Sequence, residues 1–345
     1  MAIVAVSGCS TTYSGLSDEN ANPRLAALKA PLASATVSLV DTPGPPAARV
    51  AIHRVAGPTG APVVAFIHGA MSDFETWRFV AGPLAGTHEL WLLDLPGCGK
   101  SDTPDPDRFG EGVYAPEALA ARVRDALRAE ASTRGVTRIT LVGHSLGAAV
   151  ALRLAAEPSV PVIERLVLLS PLDAAVGPPN PTIRELATAS SLKLATARAT
   201  GVLRERFAQA TRDSVCDPSL ALRQEVDKRL RSFDSGPRTR ALQATLRQAV
   251  PWRGEQLDWD RVEAIEASYS RVGAPCLILT GRRDSVLPPS MGYKVAAELD
   301  ATLVALPRVM HSPQLEAPEE TASLIAEFVA TGRVASERVV RNVGR

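Results

Sequence analysis

Ile139-Thr140-Leu141-Val142-Gly143-His144-Ser145-Leu146-Gly147-Ala148-Ala149 is the stretch whose reading decides the fold. An apolar run of strand character stops at Gly-His-Ser-Leu-Gly, and small, helix-favouring residues follow. This predicts that Ser145 sits in a tight turn between a buried strand and a helix. Side chains at 143 and 147 would collide where the two backbones nearly touch, so the glycines there have a steric role. A serine held in such a turn is strained and exposed, as a nucleophile must be. Short motifs of this kind also occur in ordinary Gly-rich loops, so the surroundings have to carry the reading.

Toward the N-terminus, residues 35–40 and 48–55 read as strands of an opening hairpin around Asp41-Thr42-Pro43-Gly44-Pro45-Pro46. Residues 61–67 form a buried-strand candidate ending in His68-Gly69-Ala70-Met71, with Ser72 or Asp73 placed to cap a helix carrying Trp77. Residues 90–94 form another, running into Leu95-Pro96-Gly97-Cys98-Gly99-Lys100-Ser101-Asp102. The end of that run mimics a phosphate loop. However, Asp94 stands where such a loop needs its first glycine, and Thr103-Pro104-Asp105-Pro106-Asp107 replaces the required helix, so nucleotide binding is disfavoured. A helix over 115–130, the strand before Ser145, a helix over 146–156 and a strand over 163–169 continue the alternation. That rhythm predicts an α/β fold with a mostly parallel sheet flanked by helices.

The rhythm stops after Asp173. Residues 174–272 are arginine-rich and helical, with breaks at 178–181, Asp217-Pro218, Ser235-Gly236-Pro237 and Pro251. An insertion of that length is too large for a loop and is expected to form a helical cap, whose mixed charges suit a solvated surface. Strand character resumes over 274–281 and leads into Arg282-Arg283-Asp284. A helix over 290–299, a strand over 301–306, Val309-Met310-His311-Ser312-Pro313-Gln314 and a last helix over 318–330 complete the core. The expected organisation is a core over 34–173 and 273–331, a cap over 174–272, a leader or loosely packed tether over 1–33, and a basic tail over 332–345.

At 345 residues, 46% hydrophobic and 22% charged, the chain can bury a large core. A net charge of +1 with few aromatics argues against a nucleic-acid partner. Cys9, Cys98, Cys216 and Cys276 show no paired spacing, so no disulfide framework, metal site or cofactor is expected. Val6-Ser7-Gly8-Cys9 resembles the lipobox of bacterial lipoproteins, which implies membrane attachment through a lipidated Cys9 and a cell-envelope location. No basic residue precedes the apolar run, contrary to a secretory signal. The alternatives are a truncated signal, or an accidental match in a cytoplasmic protein.

In open parallel sheets, sites form outside the carboxyl ends of the strands, where Ser145, Asp284 and His311 are all expected. Their chain order differs from the chymotrypsin and subtilisin orders and matches that of the α/β-hydrolases. His68-Gly69, the 94–101 run, Gly143-His144-Ser145-Leu146-Gly147, Gly281-Arg282-Arg283-Asp284 and His311 together resemble the α/β-hydrolase family over about residues 35–331. The resemblance implies a serine hydrolase. Ser145 attacks a carbonyl, His311 shuttles the proton, and Asp284 orients His311, with Asp173 as a credible substitute acid. The amides of Ala70 (or Met71) and Leu146 would hold the oxyanion. Of the other histidines, His53 lies in an early strand, His88 just precedes one, and His68 and His144 flank the oxyanion site. Asp94 reads as a buried structural aspartate.

Serine at 145, where the family's dehalogenases and epoxide hydrolases carry aspartate, points away from those chemistries. The expected partner is a small-molecule acyl substrate, with a carboxylic ester as the default. Thioester, amide or carbon–carbon bond hydrolysis and perhydrolysis are alternatives with similar triads. A non-catalytic ligand-binding member is the reading from another class. Substrate identity and oligomeric state are not written in the sequence.

Overall fold

The central sheet explains where every functional element ends. In the computed structural model, which describes residues 15–159, 161–174, 181–253 and 256–335, the strands are β1 (Thr36–Thr42), β2 (Ala48–Val55), β3 (Val63–Ile67), β4 (Glu89–Asp94), β5 (Arg138–His144) and β6 (Val162–Leu169). A two-residue ribbon, β7 (Trp252–Arg253) and β8 (Gln256–Leu257), precedes β9 (Cys276–Gly281) and β10 (Thr302–Leu306). The sheet runs β1-β2-β4-β3-β5-β6-β9-β10. Strand β2 is antiparallel to β1 and β4; β4, β3, β5, β6, β9 and β10 are mutually parallel. The α/β class and mostly parallel sheet predicted from the alternating pattern are therefore the observed ones.

The helices are α1 (Pro23–Lys29), α2 (Arg78–Ala85), α3 (Pro106–Phe109), α4 (Pro116–Arg134), α5 (Leu146–Ala155), α6 (Pro181–Thr188), α7 (Ser191–Ala199), α8 (Val202–Arg212), α9 (Arg223–Arg231), α10 (Gly236–Gln248), α11 (Trp259–Tyr269), α12 (Pro289–Glu298), α13 (Pro313–Glu316) and α14 (Pro318–Thr331). Central parallel strands are buried on both faces, so they read as continuous apolar runs. In β9, Ile278 joins Leu141 and Leu168 on one side, while Leu277 and Leu279 join Val142, Val167 and Leu169 on the other. Helices α4, α5, α11 and α12 cover the first face, and α2 and α14 the second.

Helices α6 to α9 pack around a smaller centre of their own, in which Leu194, Phe207, Val226, Leu230 and Phe233 meet Leu242 of α10. Helix α11 does not belong to that group. Its Val262, Ile265 and Tyr269 enter the first face of the main core, because α11 returns the chain to β9, so the interval expected as a cap is shorter at its C-terminal end. No described helix is long and apolar enough to cross a membrane. Cys9 and residues 336–345 of the basic tail lie outside the described residues.

From Leu16 onward the segment expected as a loose tether is packed. Leu25 is 1% exposed beside Phe79, Leu220 and Leu222. Ser17 pairs with the insertion through Ser17 N–H to Ala221 O (2.8 Å) and Arg223 N–H to Ser17 O (2.9 Å). Charges that look solvated in sequence account for this docking. Arg78 of α2 donates to Glu19 at 2.7 Å and to Glu225 of α9 at 2.8 Å, and Lys228 donates to Glu225 at 2.9 Å. All four side chains are less than a tenth exposed.

Burial opposes ionisation of Glu225, but Lys228, Arg78 and Arg229 outweigh it and hold the carboxyl below the usual range. Its stabilisation is therefore complete above the ordinary glutamate value of about 4.3 and is lost as pH falls below it. Removing one partner of a buried pair leaves uncompensated charge and costs about 3–5 kcal/mol. We expect Glu225→Gln to lower stability by that amount at neutral pH, measured by denaturant unfolding. The gap from the parent should narrow below about pH 4; equal stabilities at pH 7 would contradict the argument.

Candidate active site

Strand β5 delivers Ser145 into a turn that only a close approach of backbones allows. Ser145 has φ 54° and ψ −119°, a positive-φ conformation that a non-glycine residue holds only when its surroundings enforce it. Ser145 N–H donates to Leu169 O at 3.0 Å, and its carbonyl accepts from Ala148, Ala149 and Leu172. A Cβ on Gly147 would lie 2.2 Å from Ile67 O, and one on Gly143 would lie 2.5 Å from Gly147 O. The steric reason inferred for both glycines thus has named partners. Gly69 brings the loop after β3 to the same place, since a Cβ there would be 3.1 Å from Ser145 Cβ. The amides of Ala70 and Leu146 donate to no acceptor among the described residues, leaving both free beside the turn.

Asp284 follows β9 and His311 follows β10, neighbouring parallel strands, which brings their side chains together. His311 Nδ1 donates to Asp284 Oδ2 at 2.8 Å, leaving Nε2 without a described partner. The other carboxylate oxygen accepts from the amides of Val286 and Leu287, each at 2.9 Å. Burial opposes ionisation of Asp284, but the His311 bond and charge and these two amides hold it below the ordinary aspartate value. His144 Nε2 donates to the carbonyl of His311 at 2.9 Å, and the two rings lie 4.9 Å apart, which fixes His311 beside the residue preceding Ser145. Burial and the neighbouring His311 charge push His144 down to about 3, so it stays neutral.

Asp173, the alternative acid, is committed elsewhere. Its carboxylate accepts from Tyr269 Oη at 2.7 Å, Lys294 Nζ at 2.8 Å and the Ala174 amide at 2.7 Å. Asp94 accepts from Phe74 N–H, Lys100 N–H and His53 Nε2, all within 2.9 Å, and its carboxylate occupies the space a Gly99 side chain would need. The run that mimics a phosphate loop is thus a brace for Asp94. His68 Nδ1 donates to Gly69 O at 2.7 Å and Nε2 accepts from Leu95 N–H at 3.0 Å, and burial lowers its pKa.

Glu316 escaped the sequence reading. Its Oε1 accepts from Met310 N–H (2.9 Å) and Ser312 N–H (3.3 Å), on either side of His311, and Oε2 accepts from Cys216 N–H (2.9 Å) in the insertion. The insertion is tied down at the same end of the sheet. Arg231 reaches Asp73 and Glu75, each at 2.6 Å, and Arg238 reaches Gly99 O at 2.6 Å.

With this geometry in place, the model of the alpha/beta hydrolase family matches residues 64–324. The chain belongs to that family. This α/β-hydrolase is 28% identical over 291 residues to Rv2715 of Mycobacterium tuberculosis, spanning 81% of this chain and 77% of that one. A shorter segment of 106 residues is 37% identical to N-formylmaleamate deformylase of Pseudomonas putida, 30% of this chain and 35% of that one. An esterase from Thermogutta terrifontis superposes with a TM-score of 0.60 at 22% identity, covering 87% of this chain and 100% of that one, a likeness of fold. The α/β-hydrolase fold implied by the sequence motifs is thus the fold of this chain.

Proposed function

We propose that the protein is a serine hydrolase that cleaves a carboxylic ester of a small or medium-sized substrate by acyl transfer. Ser145 is the nucleophile, His311 the general base and then acid, and Asp284 the group that fixes the His311 tautomer. The amides of Leu146 and Ala70 stabilise the oxyanion, and helices α6 to α10 act as the cap that shapes the substrate space. The observation that carries this reading is the Asp284–His311 hydrogen bond, with His311 packed against His144, the residue before a serine held at positive φ. Treatment with a fluorophosphonate probe should place one adduct on Ser145; a folded protein left unlabelled under conditions that label a serine esterase would defeat the proposal.

A second reading, hydrolysis of a carbon–nitrogen bond, draws support from the segment similar to N-formylmaleamate deformylase. It uses the same residues. Comparing kcat/KM for an ester and an amide of the same acid decides between them.

A further inference from the structure

The loop of residues 307–312, between β10 and α13, carries His311. Asp284 holds one ring atom of that histidine, Nδ1, at 2.8 Å. The bond fixes the tautomer, yet the ring can pivot about it if the backbone beneath moves. A general base must bring its nitrogen within about 2.6–3.2 Å of the hydroxyl it activates, and a misplacement of about 1 Å can cost on the order of a hundredfold in rate. The position of the loop backbone is therefore part of the chemistry.

Contacts from three directions set that backbone. From β9, Arg283 N–H donates to Val309 O at 3.2 Å, and Gly281 admits the loop, since a Cβ there would lie 1.9 Å from Met310 O. From the Ser145 turn, His144 Nε2 donates to His311 O at 2.9 Å. From α13, one oxygen of half-buried Glu316, Oε1, accepts from both Met310 N–H at 2.9 Å and Ser312 N–H at 3.3 Å. A single acceptor thus holds the amide before the base and the amide after it.

The bond to Ser312, the residue that precedes α13, would by itself be helix capping. The other two bonds go beyond capping. Met310 lies further out in the loop, and Oε2 accepts from Cys216 N–H of the insertion at 2.9 Å. The adjacent Leu315 packs with Val215, Leu220 and Leu222, in the group that also holds Leu25 of α1. The carboxylate is therefore anchored on the insertion side as well as by its own helix.

We infer that Glu316 is a positioning residue for the proposed reaction: it holds the peptide units on both sides of His311, so that Nε2 stays aligned with Ser145 through both proton transfers. The inference rests on the serine-hydrolase reading. Glu316 touches neither substrate nor reacting atoms and acts through His311 alone.

The test uses p-nitrophenyl acetate, with the rate of fluorophosphonate labelling at Ser145 as a second readout. Glu316→Met fills similar space without an acceptor. Its kcat should fall by about thirtyfold or more while KM changes little, and labelling should slow in parallel. Glu316→Gln keeps one acceptor for the two loop amides and gives up the bond to Cys216. Its kcat should stay within about fivefold of the parent, the worth of one hydrogen bond. Thermal unfolding is recorded for both. A Met variant with a lowered melting temperature but parental kcat in its folded fraction overturns the inference, because a purely structural carboxylate would give that result. A Gln variant slowed beyond its limit overturns it too, and this comparison remains decisive if Glu316→Met does not fold. Absence of both Ser145-dependent hydrolysis and labelling in the parent overturns the inference together with the proposed function, whereas an active parent confines any failure to Glu316.

Discussion

Ser145→Ala is expected to lower kcat/KM for a short ester by about 10⁴–10⁶, leaving only the contribution of oriented binding and the oxyanion donors. The size of the loss follows from the division of labour at the site. Without the hydroxyl, the Asp284–His311 pair has no group to activate, and water lacks the position that β5 and α5 impose on Ser145. The substitution removes one oxygen from a half-buried residue whose backbone is held by the Leu169 and Leu172 hydrogen bonds. The unfolding midpoint should therefore change little while fluorophosphonate labelling disappears. Retention of more than about a hundredth of the parental rate would mean that another residue carries the acyl group.

Asp284→Asn is expected to lower kcat by about 10⁴, because an amide in place of the carboxylate favours the wrong His311 tautomer and gives no charge to balance the imidazolium. Asp173→Asn supplies the contrast. It disturbs the bonds to Tyr269 and Lys294, neither of which touches His311, so it should reduce stability and leave kcat of the folded fraction nearly unchanged. Swapped effects of the two substitutions would reassign the acid. The pH profile adds an independent check. Since Asp284 is held below the ordinary aspartate value of about 3.9, it remains ionised as pH falls to that point. Loss of activity at higher pH on the acid side must then come from protonation elsewhere, and the pH dependence of kcat/KM in Asp284→Asn relative to the parent measures it.

The sheet and the catalytic candidates were legible because both depend on local patterns. Leu277-Ile278-Leu279 is apolar at every position because β9 is buried on both faces, and Gly143 and Gly147 mark a backbone crossing where a side chain does not fit. Serine, aspartate and histidine could be placed because strand ends in a parallel sheet point to one edge. Pattern favoured Asp284 as the partner of His311 and kept Asp173 as a substitute, since both follow strands; long-range pairing with Tyr269 and Lys294 commits Asp173 elsewhere. The leader was misread for a related reason. Its apolar residues are sparse, and its docking uses Glu19, whose partner Arg78 is 59 positions away, so no local periodicity reports it. Glu316 was missed because its role is to accept backbone hydrogens, including that of Cys216, and backbone partners leave no trace in residue type.

The ion cluster of Glu19, Arg78, Glu225 and Lys228 bears on how this chain can be re-engineered. An insertion that met its scaffold through apolar contacts alone could be exchanged between relatives as a cassette. Here the scaffold helix α2 presents a buried cation whose neutralising carboxylates arrive from two separate segments, one before the sheet and one inside the insertion. Grafting foreign insertion helices onto this scaffold, or trimming the chain ahead of α1, would strand Arg78 without its counter-charges. The leader, α2 and α9 are therefore one transplantable unit, and a chimera that moves them together should fold where one that divides them fails.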